Sequence, residues 1–307
     1  MKIVLAGATG AIGRPLLRRL VDAGHDVTAL TRRPERTHEL DAAGAHGVVC
    51  DVLDRSAVLK AVAEVGPEVV IDQTTALPQR YDPRRMELFY RDMLPLRLRG
   101  TPNLFEAAAA ARARIVFQSI AFLYAPDGEP TIVDEDAPTI DEEGPPPWNL
   151  AMPLIAALEQ RAVDQGGLAL RYGWFYGPGT HFDVGQIADD VRRRRMPVVG
   201  RGEGLWSFIH VHDAAEATVA ALAWPGSGIL NVVDDDPIAV KEWLPIYAAS
   251  LGAKPPLRVP VFAARLAAGA MAVHSMTRLP GASNARARRE LAWEPRHRTV
   301  RETFRAG

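Results

Sequence analysis

Short apolar runs alternate with amphipathic stretches through the first half of the chain. Ile3–Ala6, Val27–Leu30, Gly47–Cys50, Val69–Ile71, Ile115–Gln118 and Leu168–Arg171 read as six strands. Between them Ile12–Ala23, Val58–Val65 and Trp148–Asp164 read as helices, as does a long stretch from Arg84 to Arg112 broken at Pro95 and Pro102. Strands that are apolar at every position, not at every second one, are buried on both faces. Such strands separated by helices predict an α/β fold with a doubly wound, Rossmann-type parallel sheet.

The rhythm then changes. Pro126–Pro147 is acidic and proline-rich and reads as a surface loop. Beyond Tyr176 the elements are short and mixed. Val184–Arg195 and Ala214–Leu222 read as helices, and Phe208–Val211 and Ile229–Val233 as strands. Three further helices are predicted at Trp243–Leu251, Phe262–Met276 and Ala285–Leu291. The expected organisation is a dinucleotide-binding domain over residues 1–175, to which 206–235 returns. A smaller, mostly helical substrate-binding part takes 176–205 and 236–307.

Composition narrows the function classes. With 307 residues, 48% of them hydrophobic, the chain can bury a sizeable core. Its 36 basic and 37 acidic residues give no electrostatic case for nucleic acid or an anionic membrane. No run approaches the ~20 apolar residues that span a bilayer; the best, Val259–Met276, is interrupted by Arg265 and His274. The apolar run at the N-terminus is too short for a signal-peptide core, so a cytoplasmic protein is expected. A single cysteine, Cys50, excludes an intrachain disulfide and reads as a small buried hydrophobe. No spacing of His, Cys or carboxylates suggests a metal site.

The strongest chemical signal is Gly7-Ala8-Thr9-Gly10-Ala11-Ile12-Gly13, which follows a strand and opens a helix. In that setting the spacing is a dinucleotide loop. Gly7 permits the turn, Gly10 lets backbone approach a pyrophosphate, and Gly13 lets the helix pack closely. Thr9, Ala11 and Ile12 offer backbone N–H groups at the positive end of the helix dipole. The second strand ends in Leu30-Thr31-Arg32-Arg33, with no acid to take a ribose 2′-hydroxyl. Arg32 instead suits a 2′-phosphate, so NADP is expected, with NAD open. Asp51 and Val52 are placed to hold the adenine, and Gln73, Thr74 and Thr75 to line the cleft beyond the fourth strand.

Several further motifs occur in order. They are Gly100-Thr101-Pro102-Asn103-Leu104 with Ala107 and Ala108, and Gln118-Ser119 followed by Phe122-Leu123-Tyr124. Next come Leu170-Arg171-Tyr172-Gly173, Tyr176-Gly177-Pro178-Gly179 and Phe208-Ile209-His210-Val211-His212-Asp213. Asn231-Val232-Val233 and Glu290-Leu291-Ala292-Trp293-Glu294-Pro295 complete the set. Together with the glycine loop they resemble the extended short-chain dehydrogenase/reductase superfamily over nearly the whole chain. The resemblance implies a tyrosine and a lysine one helical turn apart on the helix after the fifth strand. The lysine charge lowers the tyrosine pKa for proton transfer. Here Ala151 and Ile155 stand at those positions, and no tyrosine occurs between Tyr124 and Tyr172. The asparagine four residues before Thr101 in the family pattern is Arg97.

The resemblance therefore implies an atypical member. Ser119, at the end of a central strand, is a candidate to hydrogen-bond a substrate carbonyl or else to cap the strand-end loop. Tyr124 is a candidate proton donor or a wall residue. Tyr176 and His181 flank the Gly177-Pro178-Gly179 turn and are expected beside the nicotinamide. Arg171, His210 and Asp213 read as structural, with Asp213 capping the helix at Ala214; Arg192–Arg195 reads as a solvated face. The expected function is an NAD(P)-dependent oxidoreductase acting on a small carbonyl or conjugated substrate, or an epimerase or isomerase with bound cofactor. The alternative is a non-catalytic NADP(H)-binding sensor or assembly protein. A homodimer through Thr101–Arg112 and Trp148–Asp164 is expected by analogy alone.

Overall fold

The computed structural model describes residues 1–76, 86–183 and 185–306. The first half runs β1 (Lys2–Ala6), α1 (Gly13–Asp22), β2 (Asp26–Thr31), α2 (Thr37–Ala42), β3 (His46–Val49), α3 (Arg55–Val65), β4 (Val69–Asp72), α4 (Met86–Pro95), a π-helical turn (Leu96–Gly100), α5 (Thr101–Ala110) and β5 (Arg114–Ile120). It continues with β6 (Ile132–Val133), α6 (Trp148–Asp164), β7 (Leu168–Tyr172), β8 (Trp174–Tyr176), α7 (Gln186–Arg192), β9 (Val198–Val199), β10 (Leu205–Trp206), β11 (Phe208–His210) and α8 (Val211–Ala223). The last part holds β12 (Gly228–Val232), β13 (Ile238–Ala239), α9 (Val240–Ser250), β14 (Arg258–Val259), α10 (Val261–Thr277), β15 (Gly281–Ala282), α11 (Ala285–Leu291) and α12 (Val300–Ala306).

Seven strands form one sheet in the order β12-β7-β5-β4-β1-β2-β3, with every neighbouring pair parallel. The order reverses between β1 and β4, so the chain leaves these two strands in opposite directions and opens a crevice at their C-terminal ends. On one face Leu16, Leu20 and the alanines of α8 pack on Ile3, Leu5, Val116 and Tyr172. On the other Val58, Val62, Leu104, Phe105 and Leu158 pack on Val4, Val70 and Phe117. A separate core gathers Phe182, Trp206, Phe208, Trp243, Tyr247 and Phe304 beyond the strand ends. No helix among the described residues is long and apolar enough to cross a membrane.

Some expected elements shift. Pro95 is the last residue of α4, and Pro102 is the second residue of α5, directly after the π-helical turn. Arg84 and Val184, the expected starts of two helices, lie outside the described residues. The strand at Phe208 pairs with β8 rather than the large sheet, while β12 completes that sheet. The helix expected over Phe262–Met276 is two helices meeting at Gly269, whose φ of +83° no other residue type adopts cheaply.

Candidate active site and cofactor cleft

The glycine loop is shaped by its own backbone. Gly7 turns at φ +88°, and a Cβ there would lie 2.3 Å from the Gln73 carbonyl oxygen. A Cβ at Gly13 would lie 2.1 Å from the Gly7 carbonyl oxygen, so this glycine serves the loop itself as well as helix packing. Gly10 differs, because a Cβ there meets only the Gly7 carbonyl oxygen, at 3.3 Å, and otherwise faces open space. The Gly10 N–H donates to Gly7 and the Arg14 N–H to Gly10, each at 3.1 Å. The N–H groups of Ala11, Ile12 and Gly13 have no partner among the described residues, and no side chain caps the helix. Ile12 buries its side chain in the core, and Thr9 and Ala11 stay half-buried on the loop. These free amides at a helix start fit a pyrophosphate.

Arg32 is exposed past the end of β2 and pairs with no acid among the described residues, whereas Arg14 and Arg36 both engage Glu39. Asp51 is exposed and accepts the Leu53 N–H at 3.0 Å, while Asp54 caps α3 through the Ala57 N–H. Val52 is buried, and its carbonyl accepts from Asn103 Nδ2 at 2.8 Å. The end of β4 needs a correction. The Gln73 side chain turns inward, its Nε2 donating to the Tyr172 hydroxyl at 3.2 Å. The Thr74 hydroxyl donates to the buried Asp72 at 2.6 Å, which also accepts from Thr101 at 2.8 Å. Thr74 can therefore offer only backbone to the cleft, whereas Gln73 Oε1 is buried with no partner among the described residues; Thr75 is exposed beyond them.

Along α6, Ala151, Ile155 and Glu159 are spaced four apart and share one face. Glu159 lies over β5 and accepts the Ser119 hydroxyl. It also takes Arg171 in a fork, Nε at 2.8 Å and Nη2 at 2.7 Å. Arg171 Nη1 donates to the Tyr124 hydroxyl at 2.9 Å, which itself donates to Asn231 Oδ1 at 2.6 Å. Burial opposes the Arg171 charge, but the Glu159 hydrogen bonds and charge outweigh it and hold its pKa above the ordinary value. Burial pushes Tyr124 up to about 12. Ser119 is 1% exposed and Tyr124 0%. Their expected role as proton donors is therefore corrected, since both hydroxyls are committed to a buried network behind the cleft.

The cleft side of this region is apolar. Ala151 and Ile155 face the second core together with Ile120, Phe122 and Trp174. Phe122 stacks on Trp174 at 4.2 Å between centroids, and Trp174 on Trp206 at 4.4 Å. Arg97, in the π-helical turn, is buried 5.3 Å over the Phe117 ring, and its Nη1 lies 3.4 Å from the Thr101 hydroxyl. Burial lowers its pKa, and the charge of Asp72 works the other way.

Tyr176 also needs correction as a pocket residue. It is fully buried among Phe208, His210 and Phe304, and burial raises its pKa far above normal. His181 is half-buried on the loop between β8 and α7, and burial lowers its pKa.

One cluster had no signal in the sequence. His210, Asp213 and His297 bring ligand-type atoms within 4.8 Å of one another, which corrects the expectation that no such group exists. Asp213 Oδ2 accepts the His297 N–H at 2.8 Å and sits 2.9 Å from its Nδ1. His210, not Asp213, caps α8, accepting the His212 N–H at 3.3 Å. The His210 and His297 rings lie nearly face to face at 3.8 Å, so their in-plane lone pairs run side by side. His297 is distant in sequence, and only the fold brings it here.

Known proteins place this geometry. A 3-diazoavenalumate denitrifying reductase from a Streptomyces species is 44% identical over 98% of both chains. A 2-alkyl-3-oxoalkanoate reductase of Stenotrophomonas maltophilia (strain K279a) is 27% identical over 82% of this chain and 76% of its own. Among solved structures, human epimerase family protein SDR39U1 with NADPH superposes with a TM-score of 0.71 at 18% identity, covering 100% of this chain and 98% of that one. The UDP-glucose 4-epimerase of Thermus thermophilus with NAD gives 0.73 at 22%, covering 99% and 97%. Fold, loop and relatives together define a nicotinamide-dependent oxidoreductase or epimerase of the extended short-chain type. The chain belongs to the NAD dependent epimerase/dehydratase family, whose profile matches residues 3–232.

Proposed function

We propose that this chain is an NADP-dependent reductase that delivers hydride to an electron-poor diazo substrate without an acid from the protein. The observation that carries the reading is the apolar face of α6, where Ala151 and Ile155 replace the tyrosine and lysine of the family pattern. Carbonyl reduction leaves an alkoxide that needs a proton. Replacement of a diazonium group by hydrogen balances without one: an arenediazonium ion plus hydride gives the arene plus dinitrogen. The name of the 44% identical relative supports the same substrate class.

The cofactor supplies that hydride when bound. Ala11, Ile12 and Gly13 hold its pyrophosphate through their free amides, and Arg32 reads the 2′-phosphate. Asp51 and Val52 border the adenine, and the backbone of Gln73, Thr74 and Thr75 borders the rest of the cleft. Residues 1–175 with 206–235 serve the cofactor, and 176–205 with 236–307 enclose the substrate beside His181. Ile120, Phe122, Ile155 and Trp174 exclude water from the reacting group. This lining also favours an enzyme over a non-catalytic sensor.

The test is NADPH oxidation with an arenediazonium ion, with the arene product assayed in parallel, against a panel of ketones and enones. Turnover of the diazonium ion with stoichiometric arene is the expected result. Turnover of ketones alone would overturn the reading.

A further inference from the structure

The two halves of α10 are buried very differently. A Cβ at Gly200 would lie 2.9 Å from Val261 Cγ2 and 3.8 Å from Thr277 Cγ2, so both ends of α10 meet at one point. A straight helix of this length would hold them about 24 Å apart. The chain therefore doubles back at Gly269, and the two arms form a helical hairpin with this exposed glycine at its tip. The returning arm buries His274, Ser275 and Met276. The outgoing arm buries only Ala264. Phe262 and Leu266, one turn apart on its outer face, are 70% and 86% exposed, with Leu257 and Val261 also exposed beside them.

The charge around these side chains has one sign. Arg194 Nε donates to the Pro255 carbonyl at 3.0 Å, and the N–H groups of Val198 and Gly200 donate to Leu257 and Val259 at 2.8 and 2.9 Å. Residues 194–200 thus run beside 255–259 at the foot of the hairpin. Arg193, Arg195, Lys254 and Arg258 are exposed there, and Arg265 is exposed on the arm itself. None of these five pairs with an acid among the described residues, whereas Arg192 lies 3.7 Å from Asp189 and Arg201 takes Glu203. No acid occurs anywhere between Glu242 and Glu290. The even balance of charge over the whole chain conceals this local excess. A second copy seated on the same face would set one basic rim against another. A projecting apolar knob ringed by cations needs no matching groove at a bilayer surface, where the side chains enter the acyl boundary and the cations meet phosphates.

We propose that this hairpin seats the protein on an anionic lipid surface, with Phe262 and Leu266 inserted at the acyl boundary and Arg193, Arg195, Arg258 and Arg265 against the headgroups. The inference goes beyond the reductase reading and stands without it. The test is flotation of the full chain with vesicles of phosphatidylcholine alone or with phosphatidylglycerol added. We expect binding to the vesicles that hold phosphatidylglycerol, weakened as salt is raised. Phe262→Ser and Leu266→Ser should each lower that partition roughly tenfold. Arg193→Gln combined with Arg195→Gln should lower it roughly 30-fold. NADPH binding by each variant checks that it is folded. No binding to the anionic vesicles, equal binding to both kinds, or an unchanged partition in Phe262→Ser would overturn the proposal. A dimer in sedimentation that Phe262→Ser dissolves would also overturn it, and would give the face to a second copy.

Discussion

In the loop from Gly7 to Gly13, the N–H groups of Ala11, Ile12 and Gly13 have no partner among the described residues. Between α6 and the ends of β5 and β7, Ser119, Glu159 and Arg171 point inward and pair with one another. The loop leaves three amides free at the helix start. The second region ties Ser119, Glu159, Arg171, Tyr124 and Asn231 into one buried chain and packs Ala151, Ile155, Ile120 and Phe122 in the second core. On the proposed reading, cofactor binding and proton transfer are separable in this fold. One is built from backbone and survives almost any change of side chain. The other is built from two side chains and disappears with them.

The inward half of that contrast breaks most visibly at Arg171. Arg171→Met leaves Glu159 buried without its cation, and a loss of about 3–5 kcal/mol is expected from the urea midpoint at constant m-value. A loss within the range of a surface pair would show that the network does not hold α6 to the sheet.

Acid should act on the same side. Burial lowers both His210 and His274 to about 4, against 6.5 for a free imidazole. The unfolded chain takes up protons that the folded rings refuse, so their stabilising effect is full above pH 6.5 and fades as pH falls toward 4. Each contributes about 3 kcal/mol to that loss at its full extent. Denaturant midpoints across this window measure it, and His274→Gln should flatten the slope. A slope the variant leaves unchanged would remove His274 from the account.

The outward half is probed at Arg32. Arg32→Ala should weaken NADPH binding by about 10- to 100-fold, as for one charged hydrogen bond, and leave NADH unaffected. Equal losses for both cofactors would detach Arg32 from the 2′-phosphate. The smallest effects belong to Ser119→Ala and Tyr124→Phe. Each should cost about 1 kcal/mol of stability and leave kcat unchanged. A collapse of kcat with stability intact would return a hydroxyl to the reaction and overturn the contrast.

Much of the fold was legible because β1, β4 and β7 are apolar at nearly every position and β5 through Ile115–Phe117, and the loop because its three glycines sit between strand and helix. The missing tyrosine and lysine were legible as plain absences. Side-chain direction was not. Ser119 looked like an active-site residue until its hydroxyl was found on Glu159, and Tyr124 until it met Asn231, 107 residues on. Nothing local distinguishes a serine pointing to a helix from one pointing to a cleft. The break at Gly269 was hidden by the alanines on either side, which favour helix. His297 joined His210 only through the fold.

Strand β5 carries one further consequence. Its side chains alternate, so Ser119 points to Glu159 while its neighbour Ile120 packs in the second core beyond the strand end. Inserting a single residue upstream in that strand would move Ser119 one place along and put a hydroxyl where the isoleucine now stands. For a lineage, the hydroxyl-bearing and hydroxyl-free versions of this strand end are therefore one insertion apart. Changes of reaction type along that route would appear in family trees as small gaps in a core strand, and substitution counts would miss them.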